Sequence, residues 1–231
     1  MPKPNAIKVA VETGSSKTFA TALDWPGWSR SGRDEASALQ SLFDYGTRYA
    51  RVLESTSLGF SVPQHSADLT VIERVTGNAT TDFGAPNVAL AGDHEPVTPA
   101  GLRAWQVILT ACWASFDEAV QRASGRELSK GPRGGGRDLD KIVRHVQEVD
   151  ASYLSSLGGK WKQAHTNDSS RVLGALREVI LAALEEAVRG DIPATGPRGG
   201  TRWTPRYFVR RLAWHELDHT WEIEDRAGLN T

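Results

Sequence analysis

The chain has 231 residues, room for two small domains, and its 39% apolar and 24% charged content excludes a fibrous or disordered protein. A formal net charge of -1 excludes a broad electrostatic hold on nucleic acid or an anionic membrane, and no apolar run approaches the ~18 residues of a membrane span. The start, Met1-Pro2-Lys3-Pro4-Asn5, lacks the apolar core of a signal peptide, and the single Cys112 forms no intramolecular disulfide, so a cytoplasmic protein is expected.

Residues 1–76 predict a small α+β unit of ββαβ type. Ile7-Lys8-Val9-Ala10-Val11 alternates as a strand does and then meets the breaker run Gly14-Ser15-Ser16. Thr18-Phe19-Ala20-Thr21-Ala22-Leu23 reads as its hairpin partner, and Asp24-Trp25-Pro26-Gly27-Trp28 as a turn. Ser31, with Asp34 three residues on, opens a helix like a capping box; Leu39, Leu42, Phe43, Tyr49 and Leu53 give it an apolar side. A last strand is predicted over Leu69–Val75. In residues 77–97 glycine, asparagine, aspartate and proline break every period, which predicts a linker.

Residues 98–231 predict an all-α domain of four amphipathic helices. Thr98 caps the first, with Pro99 where a missing N–H is harmless, and the helix runs to about Ala123. The second spans about Asp138 to Leu157 and the third about Ser169 to Arg189. The fourth repeats the cap-then-proline signature at Thr204-Pro205 and ends near Ala227-Gly228. Connections of roughly a dozen residues between helices of ~20 predict an up-down-up-down bundle. Cys112, among Leu109, Trp113 and Phe116, reads as a buried small hydrophobe. Gly131-Pro132-Arg133-Gly134-Gly135-Gly136-Arg137 before the second helix is echoed by Gly196-Pro197-Arg198-Gly199-Gly200-Thr201-Arg202 before the fourth. In that topology the two loops share one end of the bundle.

His215 and His219 are four apart on a helix, so both rings project from one face a turn apart and can reach one metal ion at ~2.0–2.1 Å. Phe208, Leu212, His215, His219 and Glu222 form one stripe that turns from apolar to polar, and buried polar groups need partners. A cation is such a partner. His145, on the Ile142, Val149, Tyr153 stripe of the second helix, is expected as the third ligand. His65 and His94 fall in loop-like sequence and His165 near a helix start, all three read as surface groups.

His215-Glu216-Leu217-Asp218-His219 also matches the zinc-protease pattern, in which Glu216 activates metal-bound water. Gluzincin-type proteases need a further glutamate well downstream, and only twelve residues follow His219 here, so the third ligand is expected upstream. Three imidazoles leave coordination positions open, the catalytic pattern. Glu148, Asp218 and Glu222 are candidate orienters, further ligands or proton acceptors. Arg133 and Arg198 are candidates for holding a substrate carboxylate or phosphate. Trp214 and Trp221, two of eight tryptophans, are read as pocket walls or core.

With His145 in Val143-Arg144-His145-Val146-Gln147-Glu148 and a terminal helix carrying Trp214-His215-Glu216-Leu217-Asp218-His219-Thr220-Trp221, residues 98–231 resemble the DinB-like family. These are four-helix bundles of the mycothiol- and bacillithiol-transferase type. The resemblance implies a divalent metal (zinc first; nickel, iron or manganese otherwise) on three histidines. It also implies dimers through the bundle and a low-molecular-weight thiol cosubstrate in transferase or isomerase reactions on a small molecule. Phe19-Ala20-Thr21-Ala22-Leu23-Asp24-Trp25-Pro26-Gly27-Trp28-Ser29-Arg30-Ser31-Gly32 is similar to the HicB-type antitoxin fold. That family continues into a DNA-binding element where this chain continues into helices, so the fold is carried over and the toxin-neutralising role is not. Three functions follow: a metal-dependent thiol transferase or isomerase, a non-catalytic interaction protein with a structural metal, and a zinc-dependent hydrolase.

Overall fold

The computed structural model describes residues 6–130, 136–162 and 168–229. Strand β1 (Ile7–Thr13) pairs antiparallel with β2 (Thr18–Ala22), β2 pairs antiparallel with β3 (Ser29–Gly32), and β4 (Leu69–Thr76) returns parallel to β1. The result is one four-stranded sheet of order β3-β2-β1-β4. Register places Val9 opposite Ala22 and Val11 opposite Ala20. Period-2 alternation gathers these four on one face, where they join the core with Ala38 and Leu42 of α1 (Glu35–Asp44). Phe19 and Glu12, paired across the ladder, lie on the other face.

The unit is βββααβ, which corrects the ββαβ expectation. β3 is a short, mostly polar strand without apolar alternation, held by its ladder and by a 2.6 Å hydrogen bond between the buried hydroxyls of Thr21 and Ser29. Ser31 stays in that strand; Asp34 is the helix cap, accepting from Ser37 N–H at 2.8 Å. The expected single helix breaks at Tyr45 and resumes as α2 (Gly46–Leu53). Gly46 passes under Trp28, where a Cβ would lie 3.3 Å from the indole. Gly27 has φ of 96°, and a Cβ there would meet Leu217 at 2.9 Å and Ala213 at 3.3 Å, so only glycine lets this turn dock.

Residues 77–97 hold α3 (Ala79–Phe83) and are tied down on both sides. The buried Glu12 carboxylate accepts from the Thr81 hydroxyl at 2.5 Å and from the N–H groups of Asn87 and Val88. Asp93 forms a buried ion pair with Arg210 of α7 (Pro205–Arg226). Trp28, Tyr49, Phe208, Leu212 and Leu217 belong to one core, so the sheet and the helices fold as a shared unit.

Helices α4 (Pro99–Ala123), α5 (Leu139–Leu157), α6 (Ser169–Arg189) and α7 begin at Thr98, Asp138, Asp168 and Thr204, each accepting a backbone N–H, and their bounds agree with the sequence expectation. Their directions do not. Arg206 lies over Trp105 and Arg122 donates to the Leu229 carbonyl, so α4 and α7 run parallel. Gln106 meets Glu185 and Asp117 meets Arg177, so α6 opposes α4. Trp203 N–H bonds the Ser156 carbonyl and Arg226 bonds the Arg137 carbonyl, so α5 opposes α7. The bundle is therefore up-down-down-up, correcting up-down-up-down.

Antiparallel α5 and α7 also place Gly136-Arg137, the described part of the first echoing loop, and residues 196–202 at opposite ends of the bundle rather than together; the rest of the first loop lies outside the described residues. α7 is central: β2 meets it through Phe19 on Trp214, α4 and α5 pack along it, and residues 207–217 are buried without a break, so its whole circumference is enclosed there. Among the described residues no helix is long and apolar enough to cross a membrane.

Candidate metal centre

On antiparallel helices, heights are counted from opposite ends. His145 is seven residues after the α5 cap and His219 eight before the α7 cap, or ~10–12 Å in each case, so the two are level. The side chains meet. His145, His215 and His219 each present a ring nitrogen within 4.8 Å of the others. Ring centroids are 4.6–5.3 Å apart, and Nε2 of His145 is 3.4 Å from Nε2 of His215. Two nitrogens bound tetrahedrally to one zinc at ~2.0–2.1 Å would stand ~3.3–3.4 Å apart, so this spacing fits a shared ion.

The electrostatics favour neutral, ligand-ready imidazoles. Burial, then the charges of His219 and Arg137, hold His145 down to about 4. Burial and the two neighbouring histidines hold His215 well below the ordinary histidine range. His219 Nδ1 meets a Glu222 oxygen at 2.8 Å, which leaves Nε2 for the cluster. Burial alone would raise the Glu222 carboxyl, but its bonds to His219 and to Arg226 at 2.6 Å outweigh that and lower it. Glu222 is thus the carboxylate that orients a ligand histidine. Glu222→Gln is expected to weaken metal binding ~10–100-fold with the fold intact, measured by competition with a chromogenic chelator; unchanged affinity would deny the role.

The other sequence candidates separate. Glu148 is exposed and reaches His145 only through its charge. Asp218 pairs with Arg30 at 3.0 Å. Trp214 is 5% exposed, edge-on to Phe19 of β2, and belongs to the interface between sheet and α7. Arg198 precedes α7 at the end where Trp203 meets Ser156, away from the end where Arg226 meets Arg137. Arg137, not Arg198, has its charge felt by His145 and His215. Arg133 and His165 lie outside the described residues. His65 and His94 are exposed, and Cys112 is fully buried with its thiol pushed up by burial and by nearby Glu216.

Glu216, the expected activator of a metal-bound water, is fully buried. It faces Asp150 of α5, also fully buried, and the two are close enough to influence each other strongly although neither carboxyl has a well-formed hydrogen bond among the described residues. Burial and then the Glu216 charge raise Asp150 far above the carboxylate range, so Asp150 holds a proton. A folded-state pKa above the unfolded one means the native protein binds more protons, so this group costs stability increasingly as pH rises past about 4. Asp150→Asn removes that cost. Its stability relative to wild type should improve between pH 4.5 and 7 by roughly 1–3 kcal/mol in urea unfolding, and a pH-independent difference would refute the protonated state.

Sequence reading did not find this acid pair, nor the buried Arg210 and Arg211. Arg211 donates to the Tyr153 hydroxyl at 2.7 Å and to the Pro86 carbonyl, across from the histidines. The signal available was two adjacent arginines on the helix with the least room for charge.

No family model, no curated protein and no solved structure matches this chain.

Proposed function

We propose that the three histidines hold one divalent cation, zinc first, and that the protein is a metal-dependent enzyme of the DinB-like type acting on a small molecule with a low-molecular-weight thiol. The observation that carries this is the convergence of three ring nitrogens on α5 and α7, two of them held neutral, with Glu222 orienting the third. A cation bound there supplies acidification of a thiol or water at neutral pH. The protein's own part is to present neutral imidazoles, to fix the His219 tautomer through Glu222, and to leave the half-buried His145 side accessible.

Hydrolysis is disfavoured because Glu216 is turned into the interior against Asp150 and has no exposed surface from which to accept a proton. A purely partner-binding role for residues 1–76 is disfavoured because that unit's helices are engaged internally. Arg48 bonds Glu224 at 2.5 Å and Asp225 at 2.8 Å, and Tyr45 packs edge-on to Trp221.

The test is thiol consumption with a panel of electrophiles, using protein purified without tag or chelator. Turnover should require metal, vanish in His145→Ala and persist in Glu216→Gln. Loss of turnover in Glu216→Gln with metal still bound would favour the hydrolase reading; wild-type turnover in His145→Ala would overturn the metal reading.

A further inference from the structure

A cleft of about 640 Å³ opens beside the histidine cluster, lined by β2 and β3 on one side and α7 on the other. Its size is that of a small-molecule site. Glu222, which bonds His219, lines it, as does Arg137, whose charge reaches His145 and His215. The cleft is thus continuous with the cluster through those two residues.

Its lining carries three cations, Lys17, Arg30 and Arg137, and three carboxylates, but these do not pair with one another one to one. Every carboxylate on the lining is engaged: Asp218 by Arg30, Glu222 by His219 and Arg226, Asp225 by Arg48. Arg30 is engaged in turn, by Asp218 and by stacking on Tyr45 at 4.0 Å. The side chains of Lys17 and Arg137 are left with no acidic partner among the described residues. Lys17 comes from the β1–β2 turn and Arg137 from the residue before the α5 cap, so two separate parts of the chain bring unpaired positive charge to one cavity. Phe19, Phe83 and Trp221 supply apolar wall, and Phe83 is 78% exposed, the most exposed large apolar side chain described. A large aromatic left in water at the mouth of a cleft with two unpaired cations has a use if a ligand covers it.

We propose that this cleft takes a small carboxylic acid with an apolar body, its carboxylate held between Lys17 and Arg137 and its body against Phe83 and Phe19. The residues 1–76 then contribute directly to substrate selection. What the bound acid does next rests on the metal reading above; its capture does not. A carboxylate meets Lys17 and Arg137 through charge-assisted hydrogen bonds, and an isosteric amide loses the charge while keeping the shape.

The test compares phenylacetate with phenylacetamide by isothermal titration of the full chain, metal-free and in low salt, with metal uptake of the same preparations measured separately. Phenylacetate should bind about tenfold tighter than the amide, a difference of ~1.4 kcal/mol. Lys17→Met and Arg137→Met should each remove most of that preference and leave amide binding unchanged, whereas Lys17→Arg should retain it. Equal binding of acid and amide, no binding of either, or an acid preference that survives both methionine variants would overturn the proposal. If the chain takes up no metal yet the acid preference follows Lys17 and Arg137, the metal reading falls and this one stands; metal uptake without the preference gives the reverse.

Discussion

Arg210→Ala is expected to destabilise the protein by ~3–5 kcal/mol, the loss that follows when one partner of a buried ion pair is removed. Arg210 and Asp93 are each about 6% exposed and bond one another. Arg210 also donates to the Val88 carbonyl at 3.1 Å, and Asp93 accepts from Leu90 N–H at 2.8 Å. The alanine variant leaves the Asp93 carboxylate enclosed without its cation and releases the segment that fixes residues 77–97 to α7. The double variant Arg210→Met, Asp93→Asn should regain more than half of the loss, since no lone charge remains buried and the amide oxygen still accepts from Leu90 N–H. Urea unfolding of the three proteins reads this directly. Equal stability of Arg210→Ala and wild type would mean that this clamp does not hold the two parts of the fold together.

His215→Ala is expected to end stoichiometric metal uptake. Loss of a direct ligand should cost more than the ~10–100-fold that follows from loss of an orienting partner. His215 is 6% exposed, its ring lies within 4.6–5.3 Å of the other two, and its Nδ1 has no hydrogen-bond partner among the described residues. Apart from the 3.4 Å contact with His145 Nε2, removing it breaks no hydrogen bond of its ring among the described residues, so the variant's far-ultraviolet circular dichroism should match wild type. Retained one-to-one uptake in a folded variant would show that the imidazole is core packing only.

The sequence disclosed this protein unevenly, and the unevenness has physical causes. The four long helices were legible to the residue at several ends, because Thr98-Pro99, Asp138 and Thr204-Pro205 are local capping signals whose meaning does not depend on the rest of the fold. The three histidines were legible because i, i+4 spacing fixes a shared face. The direction of α5 against α7 was not, because a connection of the length of residues 158–168 suits either a short turn or a return along the bundle. That error carried through to the loops. It put the Arg198 loop at the same end as the Arg137 loop, when the antiparallel pairing brings only Arg137 to the histidine end.

β3 escaped because Ser29-Arg30-Ser31-Gly32 has no apolar alternation; its pairing to β2 is decided by the backbone ladder and by Gly27 against α7. The burial of Glu216 was not legible because helical spacing around α7 assumes one buried face. α7 is enclosed by the sheet on one side and helices on the others, so no face was left for water over most of its length. The same burial explains the Arg210–Asp93 ion pair and the proton held by Asp150 of α5 against Glu216.

The central claim, three imidazoles on one ion, is tested most directly by X-ray absorption at the zinc edge on the zinc-loaded full chain. The expected first shell is three imidazole nitrogens at ~2.0–2.1 Å with a further light atom and no sulfur. In His145→Ala one imidazole should disappear from that shell. A chain that retains no zinc, or a wild-type shell with fewer than three imidazoles or with a sulfur neighbour, would contradict it.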